Sequence, residues 1–198
     1  MITLGFLASG KGTSLRAIVA AVEAGELAAQ AGLVVSNNRA AAALNFARDH
    51  AISARWIPTL GNPQAADADL TQALAGAGVD LVVLSGYLRK LGPKVLTAYE
   101  NRILNIHPAL LPRFGGEGMY GRRVHEAVLA AGESVTGATV HLVDGQYDHG
   151  AVVAQSRARI EPGDTAETIE ARVMAIEPAL YLDTVRRIVS GALTLPSR

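Results

Sequence analysis

Cysteine is absent from all 198 residues, which excludes disulfides and every thiolate metal site. Charge of one sign is missing too. Lys and Arg number 18, as do Asp and Glu, for a formal net charge of zero, so no field steers the chain toward nucleic acid or an anionic membrane. Long apolar runs are lacking: none reaches the ~18 residues of a membrane span, and the stretch from Met1 to Gly10 lacks the basic start of a secretory leader. Together these absences lead us to expect a cytoplasmic chain with no nucleic acid and no membrane among its partners. No repeat or low-complexity segment interrupts it. A metal enzyme is not expected either, because His125-Glu126 lacks the second histidine of a zincin and Leu129 stands in that place. What remains is an ordinary globular composition, 49% hydrophobic and 18% charged, long enough to bury one sizeable core.

Apolar runs of strand length alternate with amphipathic segments. Ile2 to Ala8 is followed by a helix from about Ser14, and Leu33 to Ser36 by a helix from about Ala40. Ala54 to Ile57 precedes an Ala-rich helix near Asp67 to Ala77, with a surface connection around Gly61. Val79 to Leu84 leads to a short helix near Pro93 to Tyr99, then to Arg102 to Asn105. This βαβα alternation predicts an α/β fold, a Rossmann-like, doubly wound, mostly parallel sheet. Thr136 to Val143 and Ala151 to Ile160, joined by a Gly- and Asp-rich turn, predict an antiparallel C-terminal strand pair. A long C-terminal helix closes the chain. Asp164 with Glu167 fits a capping box, Ile169, Val173, Ile176 and Leu180 form its stripe, and Pro178 is expected to kink or interrupt it after Glu177. Residues 1–198 then make one domain.

The first strand runs into Ser9-Gly10-Lys11-Gly12-Thr13-Ser14. A glycine-rich strand-to-helix turn presents free backbone N–H groups and the positive end of a helix dipole, which suits an anion. A P-loop is excluded because Gly12 occupies the hydroxyl position after Lys11. A dinucleotide fingerprint fails because Leu15 stands where the third glycine is needed. A single phosphate fits better than a longer one, and a plain tight turn with a Ser or Thr N-cap fits as well.

Asn105-Ile106-His107-Pro108 carries the most chemistry. At the C-terminal end of a buried strand, Asn105 and His107 at i, i+2 face one side, where open α/β sheets place ligands. Asp148 follows within Asp144-Gly145-Gln146-Tyr147-Asp148-His149-Gly150. An amide, an imidazole and a carboxylate meeting in one pocket are the parts needed to move a small acyl group between nitrogens. Taken alone, His107 also fits a core histidine satisfied by backbone, and Asn105 a turn residue before proline.

With these segments in hand, the chain resembles the folate-dependent formyltransferases nearly end to end, and among them the branch whose acceptor is glycinamide ribonucleotide. The resemblance runs through residues 7–15, Val35-Ser36-Asn37-Asn38, residues 83–89, the Asn105 to Pro112 run, Gly137 to His141, Asp148-His149-Gly150 and the helix around Glu177. It implies formyl transfer from the co-substrate 10-formyltetrahydrofolate to the amine of glycinamide ribonucleotide, a step of purine synthesis, by a monomer or homodimer without metal. Asn105, His107 and Asp148 would be catalytic. Gly12, Thr13 and Ser14 would hold the phosphate and Glu177 the amine. Tyr87, Leu88, Arg89, Leu91, Asn105 and His141 would bind folate. Residues 1–198 would be a single formyltransferase domain, with 1–100 the phosphate and ribonucleotide-binding half and 101–198 the catalytic and folate-binding half.

The chain departs from that family at His149, which reads as an exposed turn residue, at Ser14, where Asn is common, and at residues 115–121, which replace a Gly-x-His-x-His loop. His141 reads as a substrate-loop or structural residue, and His50 as a cation at a helix C-terminus. Arg122-Arg123 and Arg186-Arg187 read as solvated helix faces. The runners-up are formyltransferases acting on another amine, a sugar nucleotide or methionyl-tRNA, and formyltetrahydrofolate deformylases. Methionyl-tRNA formyltransferases would need a segment after Arg198 and deformylases one before Ile2. A non-catalytic nucleotide-binding module would explain the turn but not the Asn105, His107 and Asp148 set.

Overall fold

Alternating strands and helices assemble in chain order as β1 (Ile2–Leu7), α1 (Thr13–Glu23), β2 (Ala29–Ser36), α2 (Ala42–Asp49), β3 (Ser53–Trp56), α3 (Pro63–Gly76) and β4 (Leu81–Leu84). They continue as α4 (Pro93–Ala98), β5 (Ile103–His107), α5 (Arg122–Ala130), β6 (Val135–Leu142), β7 (Val152–Arg159) and α6 (Ala166–Val189). This is a computed structural model, and it describes residues 1–197. One seven-stranded sheet takes the order β3-β2-β1-β4-β5-β6-β7. β1 to β5 pair in parallel, while β5–β6 and β6–β7 are antiparallel. The α/β expectation therefore stands, with one more antiparallel pairing than the C-terminal strand pair alone supplies.

The parallel strands read as unbroken apolar runs because both faces are covered. Leu4, Phe6 and Val34 pack with Leu15, Ile18, Leu44, Tyr181 and Val185 on the face of α1, α2 and α6. Leu7, Leu33, Val35, Val82 and Ile103 pack with Leu70, Leu74, Val95 and Tyr99 on the face of α3 and α4. Each such side chain taken fully from water stabilises the fold by ~1.5–3 kcal/mol before conformational entropy is charged.

Several boundaries move from the expected ones, each for a local reason. α3 begins at Pro63, not near Asp67, since Asn62 Oδ1 accepts the Ala65 N–H at 3.0 Å and Pro63 fills a position that needs no donor. Asp67 itself caps the next helix, accepting the N–H groups of Lys94 at 2.9 Å and Val95 at 3.1 Å. The cap of α6 is Thr165, boxed with Thr168, rather than Asp164 with Glu167. Asp164 instead accepts the Glu161 N–H at 2.7 Å and pairs with Arg172. Pro178 does not interrupt α6, which runs unbroken from Ala166 to Val189. One turn beyond it Tyr181 is fully buried, and its hydroxyl donates to the Leu104 carbonyl at 2.7 Å, so tertiary packing holds the helix across the missing N–H.

Candidate active site

Strand order reverses between β1 and β4, and at such a switch point the loops leaving the strand ends part and open a crevice. A cleft of about 930 Å³ lies there. Its walls are the turn Gly10 to Ser14, the Ser85 to Arg89 loop, Asn105 to Pro108, the loop Gly116 to Gly121, Tyr147-Asp148, and Glu177 from α6. A side pocket of about 80 Å³ adjoins it, sharing Tyr87, Arg89, Asn105, Tyr147 and Asp148 and adding Leu91, His141 and Val143. Leu91 and His141 thus line only the side pocket.

The first turn is built around Gly12, not around a Ser or Thr cap. Gly12 is the N-cap of α1 with φ 65° and ψ 52°, a left-handed conformation that glycine adopts without a steric penalty. A Cβ there would also approach Leu15 Cδ2 to 3.0 Å. Gly12 has no side chain to cap the helix, and no acidic residue occupies its first turn. The Leu15 N–H is taken by Ser85 Oγ at 3.1 Å. The N–H groups of Thr13 and Ser14 are left to whatever anion enters.

β5 delivers the polar pair. Register sets Asn105 directly across from His141 on β6, and Asn105 Nδ2 lies 3.1 Å from His141 Nε2. His141 Nδ1 must donate to the Leu142 carbonyl 2.8 Å away, so in the neutral ring Nε2 accepts from the Asn105 amide. His141 is therefore part of the cluster itself, buried against Asn105 and 3.5 Å from Asp148 Oδ1, and it sits on β6 and not in a loop.

His107 is held on both edges. Its Nε2 donates to the Phe114 carbonyl at 2.7 Å, and its Nδ1 faces Asp148 Oδ2 at 3.4 Å. The backbone satisfaction of a core histidine and the carboxylate contact of a catalytic one are both present. Burial pulls the ring below its usual pKa, with Asp148 opposing. For Asp148, burial pushes upward, but the His141 ring 3.5 Å away, the charge of His107 and the Gly116 N–H at 3.0 Å outweigh it and hold the carboxylate below its usual value. A neutral His107 bonded to Phe114 through Nε2–H turns a lone pair toward an anion. The space between Nδ1 and Asp148 is a place for one proton.

Glu177 enters the cleft from α6 with no hydrogen bond or ion pair to another described residue, and burial raises its pKa to about 7. His149 is an exposed turn residue, 3.0 Å from Asp144. The two arginines of α5 part company. Arg122 pairs on the surface with Glu167 and Glu170, as a solvated face would, whereas Arg123 lines the cleft with its guanidinium over the Tyr120 ring. Sequence reasoning missed Arg123, Tyr147, Ser9 and Ser85. Position at the ends of β1 and β4 is the only signal for the two serines, and it becomes legible once the strand order is known. Among the described residues no group of three or more His, Cys, Asp or Glu is placed to hold a metal ion.

A mostly parallel sheet with an open switch point, a helix N-terminus with free N–H groups and an Asn-His-Asp cluster at one strand end are the layout of a group-transfer enzyme. The chain belongs to the formyl transferase family, which it matches over residues 3–185. It is 37% identical over 188 residues to "Phosphoribosylglycinamide formyltransferase, chloroplastic" of Arabidopsis thaliana, covering 93% of this chain and 64% of that one. It is 34% identical over 197 residues to phosphoribosylglycinamide formyltransferase of Haemophilus influenzae, covering 98% of this chain and 91% of that one. The crystal structure of glycinamide ribonucleotide transformylase 1 from Symbiobacterium toebii superposes with a TM-score of 0.90 at 36% identity, covering 100% of this chain and 92% of that one.

Proposed function

We propose that the chain transfers the formyl group of 10-formyltetrahydrofolate to the amine of glycinamide ribonucleotide. The observation that carries this reading is the convergence of Asn105, His107 and Asp148 on one wall of a cleft whose other walls bear the uncapped turn and Glu177. Gly12, Thr13 and Ser14 take the phosphate through backbone N–H groups. Glu177 holds the amine by a charge-assisted hydrogen bond. Tyr87, Leu88 and Arg89 form the wall for the folate, and the side pocket with Leu91 and His141 extends it.

The amine nitrogen forms a bond to the formyl carbon, and the bond from that carbon to folate N10 breaks. Charge gathers on the formyl oxygen between these events. Asn105 has one amide N–H committed to His141 and the second free for that oxygen, and a His107 protonated at Nδ1 adds positive charge beside it. The proton lost by the amine is held between His107 Nδ1 and Asp148 and passes to N10 as the bond breaks. His141 keeps the Asn105 amide turned the right way.

Formyl transfer to glycinamide ribonucleotide, followed by folate absorbance, tests the reading. Transfer that requires the ribonucleotide supports it. Formyl loss at the same rate without the ribonucleotide would make water the acceptor and the chain a deformylase.

A further inference from the structure

The phosphate turn and the proposed folate loop are tied by two hydroxyl groups that run in opposite directions. Ser9, at the start of the turn, accepts the Leu88 N–H through Oγ at 2.8 Å and donates to Asn37 Oδ1 at 2.6 Å. Its own N–H donates to the Gly86 carbonyl at 3.0 Å. In return Ser85, at the end of β4, accepts the Leu15 N–H at 3.1 Å from within the first turn of α1. Each loop thus satisfies a backbone donor in the other.

We propose that Ser9 and Ser85 are positioning residues that fix the distance between the two bound substrates, a role resting on the functional reading above. The turn and Glu177 place the amine, while the Tyr87 to Arg89 loop places the formyl donor, and no covalent link shorter than a whole βαβ excursion joins them. Attack requires the reacting atoms within ~3–3.5 Å and aligned, and a misplacement of ~1 Å from a distant change can lower the rate 10²-fold. Neither serine needs to touch a substrate for this. Ser85 is buried, and the Ser9 hydroxyl has both its proton and an acceptor site engaged within the protein. What they hold is backbone, and that backbone carries the groups that meet each ligand. The pattern arises where the fold must join strands that diverge: β1 leads toward β2 on one side and β4 toward β5 on the other.

The test uses the full chain and the variants Ser9→Ala, Ser85→Ala and the double variant. Calorimetric titration with glycinamide ribonucleotide and with tetrahydrofolate gives both affinities and the fraction of sites competent to bind. Turnover is then expressed per competent site, so that partly unfolded protein does not count. Each single variant should keep both dissociation constants within about twofold of wild type while kcat per competent site falls about three- to tenfold, and the double variant should fall further than either. Unchanged kcat per competent site in both single variants, with wild type active, overturns the positioning role alone. A loss explained by weaker binding of one ligand overturns it as well, since the serine then belongs to that ligand's site. Wild-type chain that binds neither ligand overturns the functional reading, and the positioning role with it.

Discussion

Replacing Glu177 by Gln should stabilise the folded protein in a pH-dependent way while weakening the ribonucleotide. Burial lifts the Glu177 carboxyl from an ordinary value of 4.5 to about 7, with no cation beside it to offset the effect. A carboxyl whose folded pKa is raised binds its proton more tightly when folded, so it opposes folding increasingly as pH climbs from 4.5 toward 7 and by a constant amount above. At ~1.36 kcal/mol per pH unit over that interval, the folded state gives up roughly 3 kcal/mol at alkaline pH and almost nothing at pH below the unfolded value. Gln keeps the shape and removes the charge. For a chain of this size, 1 kcal/mol moves the midpoint by ~2–4 °C, so Glu177→Gln should melt about 6–12 °C above wild type near pH 8.5. The gap should shrink toward zero as the pH is lowered toward 4.5. The same variant should raise the KM for glycinamide ribonucleotide about tenfold, equivalent to ~1.4 kcal/mol, and leave the folate KM unchanged. Thermal unfolding of both proteins at several pH values, with steady-state titration of each substrate, decides the matter. A melting difference that is absent, or equal at every pH, refutes the argument that a half-buried, unpaired carboxylate is kept here for binding.

His107→Ala and Asp148→Asn should each lower turnover at least ~10²-fold, because acid-base and oxyanion groups act mainly in the transition state. A folded variant with near-normal kcat removes that residue from the mechanism. Prolonged dialysis against a chelator should leave activity intact, and activity that vanishes and returns with zinc or magnesium would show a metal at work. Gly150→Ala should destabilise the fold by ~1–3 kcal/mol in a denaturant titration, since its Cβ would strike the Leu142 carbonyl oxygen. An unchanged midpoint there would mean that the loop after Asp148 yields freely.

The βα alternation was legible because strands covered on both faces must be apolar throughout, as Leu81 to Leu84 are. Strand ends were less so. β2 begins at Ala29, well before the expected Leu33, because Ala29, Gln30 and Ala31 carry little strand propensity and are placed by pairing with Ile2, Thr3 and Leu4. Pro178 shows the reverse: a strong local breaker overridden by the anchoring of Tyr181 one turn on. In the site, Asn105, His107 and Asp148 were legible from residue type and spacing. The place of His141 was not, since it depends on β6 returning antiparallel so that His141 lies opposite Asn105. Ser9 and Ser85 depend likewise on β1 and β4 being neighbours. Arg122 and Arg123, alike in sequence, separate because successive residues of a helix point in different directions and only Arg123 turns into the cleft.

Two of the four non-glycine residues with left-handed backbone among the described residues lie where the chemistry is, and they lean on one another. Phe114 with φ 58° and Asp148 with φ 54° hold left-handed backbone without being glycine, a conformation that costs of order 1–3 kcal/mol unless the surroundings fix it. Both grip the same ring: the Phe114 carbonyl accepts from His107 Nε2, and the Asp148 carboxylate faces Nδ1. Gly115 follows Phe114 because a Cβ there would strike Leu111 and meet Asp148 Cβ at 3.0 Å. His107 in turn is buried at a cost to its charged form, which Asp148 partly returns. Remove the ring, and two strained loops lose the contacts that hold them; relax either loop, and the ring loses its proton partner or its orientation. Such mutual dependence places the imidazole and carboxylate before substrate arrives, and the apolar packing on both faces of the sheet supplies the stability that lets a half-buried, unpaired Glu177 persist beside them.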